Sequence, residues 1–261
     1  RAAIQVHDIG LQIVRKDGQL GFQVLVGGGL GRTPVIAAEI CDFLPQEHLL
    51  TYLEAILRVY NRLGRRDNKY KARIKILVRA LTPEVFAEKV EAEWAHLKNG
   101  PSTLTEAEIE RTRGFFTRPA YETDLPDEPS VVASDGQFER WLRHNVKPHQ
   151  QAGYAIVTLA LKRTGVAPGD VTDKQMEFAA DLADRFSFGE IRVTHEQNLT
   201  LADVRKSELY DLWQAIRDNH LASPNLGLLT DMICCPGGDY CSLANAKSIP
   251  VADAIQRRFD D

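Results

Sequence analysis

The chain is short of the features that mark several protein classes. No run approaches the roughly 18 consecutive apolar residues that a membrane helix needs, and no basic and apolar leader opens the text. The expectation is therefore a cytoplasmic protein without a membrane partner. Methionine occurs twice and cysteine four times in 261 residues, too few for an extracellular disulfide scaffold, so a reducing compartment is expected. Histidines are scattered, and none joins a serine and an aspartate, or other histidines, in an array that would suggest nucleophilic or histidine-metal chemistry. A net charge of −4 provides no general attraction to nucleic acid. The first residue is Arg1 and the text enters strand-like sequence at once, which reads as the interior of a longer protein. What remains is an ordinary soluble composition, 44% hydrophobic and 26% charged, long enough for one large domain or two small ones.

Residues 4–14 alternate as a strand, Asp17-Gly18 supplies a tight turn, and Leu20–Val26 returns as a second strand. Leu49, Leu50, Leu53, Ile56, Leu57 and Tyr60 recur at helical spacing over 46–63. Residues 68–80 read as a continuing basic helix. Thr82-Pro83 caps a helix reaching about Lys98, and a polar helix follows near 104–114. Residues 117–137, rich in Pro, Asp, Glu and Ser, read as an extended linker. Beyond it, strand 154–161, helix 172–186, strand 190–194, a strand resuming at Leu199 and a helix capped by Ser207 follow one another. That β-α-β-β-α order suits helices covering one face of an antiparallel sheet.

Three of the four cysteines crowd together as Cys234, Cys235 and Cys241. Thiolates are soft ligands for zinc, copper or iron–sulfur clusters. The five residues between Cys235 and Cys241 exceed the tight knuckle of most zinc sites, but let a loop wrap one corner of a larger cluster. Cys41 reads as a buried small residue, and Cys234 as the end of a strand leading into the loop. Gly27, Gly28 and Gly29 follow a strand; their spacing is wrong for a dinucleotide fold, and they read either as a strand exit or as a close backbone approach to a flat cofactor. Residues 61–75 hold seven basic residues and one acid, either a solvated face or an anion site.

The surrounding residues are more specific. Cys235-x5-Cys241-x-Leu-Ala-x-Ala resembles the first half of the cluster motif of the sulfite and nitrite reductase hemoproteins. Gly-Phe-Gln-Val-Leu-Val-Gly27-Gly-Gly is similar to that family's siroheme-contacting strand end. Asn61, Arg62, Arg65, Lys69 and Lys71 match its Asn-Arg-x-x-Arg-x-x-x-Lys-x-Lys stretch, with Arg66 where the family tends to be basic. Arg192-Val-Thr-His-Glu-Gln-Asn-Leu199 is similar to its Arg-Ile-Thr-x-x-Gln-Asn-Leu segment. The four segments come in the family's order.

The resemblance implies an α+β fold. A siroheme/cluster module with a mixed sheet would occupy 1–116, the linker 117–137, a ferredoxin-like half-domain 138–222, and the start of a second module 223–261. It implies an oxidoreductase with siroheme and a 4Fe-4S cluster that reduces sulfite to sulfide or, alternatively, nitrite to ammonia, fed by a donor such as ferredoxin or a flavoprotein subunit. Cys235 and Cys241 would be cluster ligands. Gly27, Gly28, Gly29, Arg62, Arg65, Arg66, Lys69 and Lys71 would contact siroheme, as would Arg192, Thr194, Gln197 and Asn198, while Arg73 and Lys75 would face solvent. The second cysteine pair of the family, Cys-x3-Cys, is not in this chain, and no residue of it is assigned as catalytic. Two other readings stand beside this one: a non-catalytic metal module built on Cys234, Cys235 and Cys241, and a basic-helix RNA-binding protein.

Overall fold

The computed structural model describes residues 2–31, 33–129 and 135–260. Two compact units divide the chain, Arg1–Thr117 and Arg118–Asp261.

In the first unit, Ile4–Val6 forms a single 3₁₀ turn before the strand, so β1 spans Ile9–Lys16 rather than starting at residue 4. Asp17 and Gly18 both take positive φ, 52° and 81°, which matches the right-handed twist of the flanking strands. They pair β1 with β2 (Gln19–Val26) in the register Lys16↔Gln19 to Ile9↔Val26. A third strand, β3 (Ala38–Pro45), follows on the other edge of β2 with two register shifts. The mixed sheet expected for this module is antiparallel in all of its described pairs.

Helices α1 (Leu49–Leu63), α2 (Ile74–Leu81) and α3 (Pro83–Trp94) supply the rest of the core. Val24, Val26, Tyr52, Ile56, Val59, Leu77, Phe86 and Val90 meet there. The inner face of α1 is carried by Tyr52, Ala55, Ile56 and Val59, whereas Leu50 and Leu57 of the expected stripe are exposed. Tyr52 is fully buried and donates its hydroxyl to Glu91 Oε1 at 2.8 Å. Pro83 opens α3 as expected, but Thr82 holds φ 73° and makes no side-chain cap. A polar helix, α4 (Glu106–Arg113), is capped by Thr105.

The second unit begins with α5 (Gly136–Asn145), then β4 (Val146–Pro148), β5 (Tyr154–Leu159), α6 (Asp173–Phe186), β6 (Arg192–Val193), β7 (Leu199–Arg205) and α7 (Leu209–Asp218). Its sheet runs β4-β5-β7-β6, antiparallel throughout the described pairs. Thr172 closes a full capping box with Gln175 at the start of α6, satisfying two orphan donors at once. Before α7 the chain makes a 3₁₀ turn over Lys206–Glu208, so the helix starts at Leu209 and not at a Ser207 cap. Trp141, Val157, Leu159, Leu182, Leu201, Leu212 and Ile216 fill the core.

Part of the stretch read as a linker is fastened to this unit. Tyr121 donates to Asp203 Oδ1 at 2.6 Å, Glu122 N–H to the Tyr154 hydroxyl, and Gly153 N–H to Asp127 Oδ1. Residues 130–134 of that stretch lie outside the described residues. The chain closes with α8 (Ser248–Phe259).

Candidate functional site

The glycines that end β2 are buried, and the chain's own atoms explain them. A Cβ on Gly28 would stand 2.5 Å from Gln5 O and 2.7 Å from His7 O. On Gly29 it would meet the Lys75 stem at 3.0 Å, and on Gly27, which holds φ 78°, the Val78 side chain at 3.0 Å. The Lys75 ammonium reaches through this corner to Thr33 O at 2.7 Å and Leu30 O at 3.2 Å. Lys75 is therefore buried, not solvent-facing, because its ammonium donates to these two carbonyls. Arg73 makes a two-pronged ion pair with Asp8.

The basic stretch is not one helix. Gly64 ends α1, Asn68 caps a 3₁₀ turn over Lys69–Lys71 by accepting from Tyr70 N–H, and α2 begins only at Ile74. Arg62, in the last turn of α1, and Arg65, Arg66, Lys69 and Lys71, in the resulting loop, are all exposed. Arg62 pairs with Glu93 and Arg65 with Asp67. Arg66 lies over the Tyr60 ring and donates to Asn61. Glu93 is shared with Arg58, and among the described residues Glu93 and Asp67 are the carboxylates paired with these cations, which leaves a positive stretch able to meet a multiply charged anion.

In the second unit the β6–β7 turn is tied by its own side chains. Thr194 Oγ1 accepts from Glu196 N–H and Asn198 N–H. Asn198 is buried; its carbonyl accepts from Leu161 N–H at 3.0 Å and its amide donates to Asp231 Oδ1 at 3.1 Å. Gln197, at φ 58°, donates to Cys234 O at 2.9 Å and accepts from Cys234 N–H at 3.0 Å. Arg192 is exposed and paired with Glu190. All four of these residues thus bind the chain to itself, and two of them, Gln197 and Asn198, reach the segment that leads into the cysteines.

That segment is not a strand. A 3₁₀ turn over Leu229–Asp231 is followed by extended chain, and the Cys234 thiol is buried, donating to Cys235 O at 3.2 Å. Burial raises its pKa, as it does for the half-buried Cys41 on β3. Cys235 and Cys241 are both exposed. The Ser248 hydroxyl, 3.4 Å from the Cys235 sulfur, and the Gly237 N–H hold that thiol below its ordinary range. The loop between them is closed by Cys241 N–H to Gly237 O and Gly238 N–H to Ala246 O. Gly237 has φ 58°, and a Cβ there would strike Ser248 N and Ala246 O at 2.7 and 2.8 Å, so only glycine fits. The small-residue stretch after Cys241 stays irregular until α8 starts at Ser248.

Two accessible thiols on one closed loop, one of them with its pKa lowered by hydrogen bonds, fit as two donors of a cluster's thiolate set. The described residues contain no group of three or more His, Cys, Asp or Glu that could hold a metal. Cys234, Cys235 and Cys241 therefore do not converge as a self-sufficient metal module. The rival RNA reading loses its basic helix.

Sequence reasoning missed the group that seats this loop. Lys162 has no exposed side-chain surface and donates to Asp231 Oδ1 at 2.8 Å. Asn225 and Gln256 both donate to Lys162 O at 3.2 Å. The basic pair Lys162-Arg163 after a hydrophobic strand is the signal the sequence offers, and it does not distinguish a buried lysine from a surface one. Among the described residues no helix is long and apolar enough to cross a membrane.

Comparison with known proteins agrees with this architecture. Residues 1–98 match the nitrite and sulphite reductase 4Fe-4S domain, and residues 148–219 the nitrite/sulfite reductase ferredoxin-like half domain. Neither match reaches Cys235 or Cys241. The chloroplastic ferredoxin–nitrite reductase of Betula pendula is 28% identical over 97% of this chain, and the match covers 39% of that protein. The sulfite reductase [NADPH] hemoprotein beta-component of Acidithiobacillus ferrooxidans is 28% identical over 78% of the chain and 31% of its own length. The Mycobacterium tuberculosis NirA protein shares the fold, with a TM-score of 0.63 at 22% identity over 99% of this chain and 42% of that one. The chain spans about two fifths of the length of the curated relatives it matches. It belongs to the nitrite and sulfite reductase family of oxidoreductases, and carries that family's 4Fe-4S domain and ferredoxin-like half domain.

Proposed function

We propose that this chain is part of a ferredoxin-dependent nitrite reductase that takes nitrite to ammonia in a six-electron reduction, with Cys235 and Cys241 as two ligands of its 4Fe-4S cluster. The observation that carries the choice of nitrite is the extent of similarity. Relatives named ferredoxin–nitrite reductase align over 97% of the chain, against 78% for the sulfite reductase component. Reduction of sulfite to sulfide is the second reading, favoured by that same component.

When bound, the cluster and siroheme would supply the redox chemistry. The chain's own residues have three tasks. The loop from Cys235 to Cys241, closed by its own backbone hydrogen bonds, presents two cysteine sulfurs. Ser248 and Gly237 stabilise the ionised Cys235 sulfur by hydrogen bonding, which favours the ligand form over the thiol. The exposed cations Arg62, Arg65, Arg66, Lys69 and Lys71 would receive siroheme carboxylates through charge-assisted hydrogen bonds. Gly27, Gly28 and Gly29 let the strand end pack closely against Val78, Gln5 and Lys75.

The test is turnover of the complete protein with reduced ferredoxin and with reduced methyl viologen, on nitrite and on sulfite separately. Ammonia from nitrite at a kcat/KM at least about tenfold above that for sulfide from sulfite supports the nitrite assignment. The reverse ratio assigns the protein to sulfite.

A further inference from the structure

Two adjacent cysteines raise a question that ligand spacing alone does not answer: what decides which thiol faces out. Cys234 and Cys235 are chemically the same, and a shift of one residue along this segment would exchange them. The structure holds the segment at one point above all. Gln197 takes both hydrogen-bonding groups of Cys234, the N–H on its Oε1 and the C=O on its Nε2. This pairing needs a side chain with a donor and an acceptor on one planar amide of this length. Glutamate has no donor, and alanine has neither.

Gln197 is held for this purpose on both sides. Its backbone has φ 58°, a conformation that residues with a Cβ adopt rarely and that persists only where the surroundings enforce it. Its side chain lies against Gly169, itself at φ 88°, where an added Cβ would come within 2.9 Å of the Gln197 Cβ. Thr194 ties the turn from below, and the neighbouring Asn198 is bonded to Asp231, three residues before Cys234. With the Cys234 backbone clamped, its thiol is buried against the Cys235 carbonyl, and Cys235 is exposed beside Ser248.

We propose that Gln197 is a positioning residue of the cluster site, fixing the register of the cysteine segment so that Cys235, and not Cys234, is presented as a ligand. The proposal rests on the reading of Cys235 as a cluster ligand. It gives Gln197 a task within the chain in place of direct contact with siroheme.

The test uses the full-length protein with Gln197→Gly, which tolerates the backbone conformation, and Gln197→Glu, which keeps the acceptor for Cys234 N–H. After the cluster is removed by chelation under reducing conditions, the thiols are alkylated with iodoacetamide and each cysteine is read separately from the fragment ions of its peptide. In the native protein Cys234 should react at least about tenfold more slowly than Cys235. In folded Gln197→Gly the two rates should converge and the Cys234 amide should lose its hydrogen-exchange protection, with Gln197→Glu between. In the reconstituted protein, the cluster's midpoint potential should move in Gln197→Gly and return part of the way in Gln197→Glu. A Cys234 thiol and amide as protected in Gln197→Gly as in the native protein would overturn the proposal while leaving the ligand assignment intact. Full cluster content in Cys235→Ser would overturn the assignment itself, and the proposal with it.

Discussion

Lys162 sets its ammonium 2.8 Å from Asp231 Oδ1 with no side-chain surface exposed. The Asp231 carboxylate is completed by Asn198 Nδ2 and Gly227 N–H. The pair links the end of the β5 segment to the chain entering the cysteine loop. Removing one partner of such a pair leaves an uncompensated buried charge, a cost of roughly 3–5 kcal/mol. Lys162→Met should therefore destabilise the second unit by about 3 kcal/mol, seen as faster hydrogen exchange over Leu229–Met232 and an earlier denaturant midpoint. Replacing both partners, as Lys162→Met with Asp231→Leu, should recover part of the loss in the same measurements.

The glycines after β2 give a contrast between crowding and conformation. Gly28→Ala puts a methyl 2.5 Å from a backbone carbonyl oxygen and should cost about 1–3 kcal/mol or more, as overpacking does. Gly18→Ala meets nothing within 4 Å but keeps φ 81°, so it should cost only about 1 kcal/mol through the turn. Thermal unfolding of the cofactor-free protein compares them. Equal stability of Gly28→Ala and the native chain would show that the triplet is not required by internal packing.

The cation loop separates binding charges from structural ones. Arg65→Ala with Lys69→Ala should lower siroheme retention with little change in folding, since a charged hydrogen bond contributes roughly 1.5–3 kcal/mol. Lys75→Ala should instead destabilise the first unit, because it leaves Thr33 O and Leu30 O without their buried donor. Siroheme content by absorption and melting temperature by circular dichroism should move independently in the two variants.

Tyr121 offers a pH signature for the segment fastened to the second unit. Burial and the hydrogen bond to Asp203 raise its phenol from 10 to about 12. Below pH 10 the phenol is protonated in both states and the bond's contribution is complete. Above it the unfolded chain loses the proton first, so stability falls between about pH 10 and 12. Melting temperatures across that range should show a shallower alkaline decline in Tyr121→Phe than in the native protein.

Where local chemistry decided the outcome, the sequence was readable. Asp17-Gly18 reads as a tight hairpin turn and forms one, and the helix read over 172–186 forms as α6 behind Thr172. Where tertiary contacts decided it, the sequence was silent. β3 was missed because its two register shifts against β2 break the period-two burial, leaving Glu39 and Asp42 among apolar neighbours. The basic stretch read as a helix on its charges, although Gly64 and Asn68 are stop and cap signals within it. Lys162 and Lys75 carry buried charges whose partners lie 69 and 42 residues away. The surrounding motif points to Gln197 as a siroheme contact, whereas its partner in the fold, the Cys234 backbone, has no signal in the sequence.

The central claim is that one member of the vicinal cysteine pair is a cluster ligand and the other is structural. The most direct measurement is iron, acid-labile sulfide and the reduced-cluster electron paramagnetic resonance signal in full-length protein purified as Cys235→Ser and as Cys234→Ser. The account predicts that Cys235→Ser loses the cluster signal, because an exposed thiol presented by the closed loop is removed. Cys234→Ser should keep it nearly intact, because only a buried thiol bonded to Cys235 O is replaced. Equal loss in both variants, or loss in Cys234→Ser alone, would contradict the account.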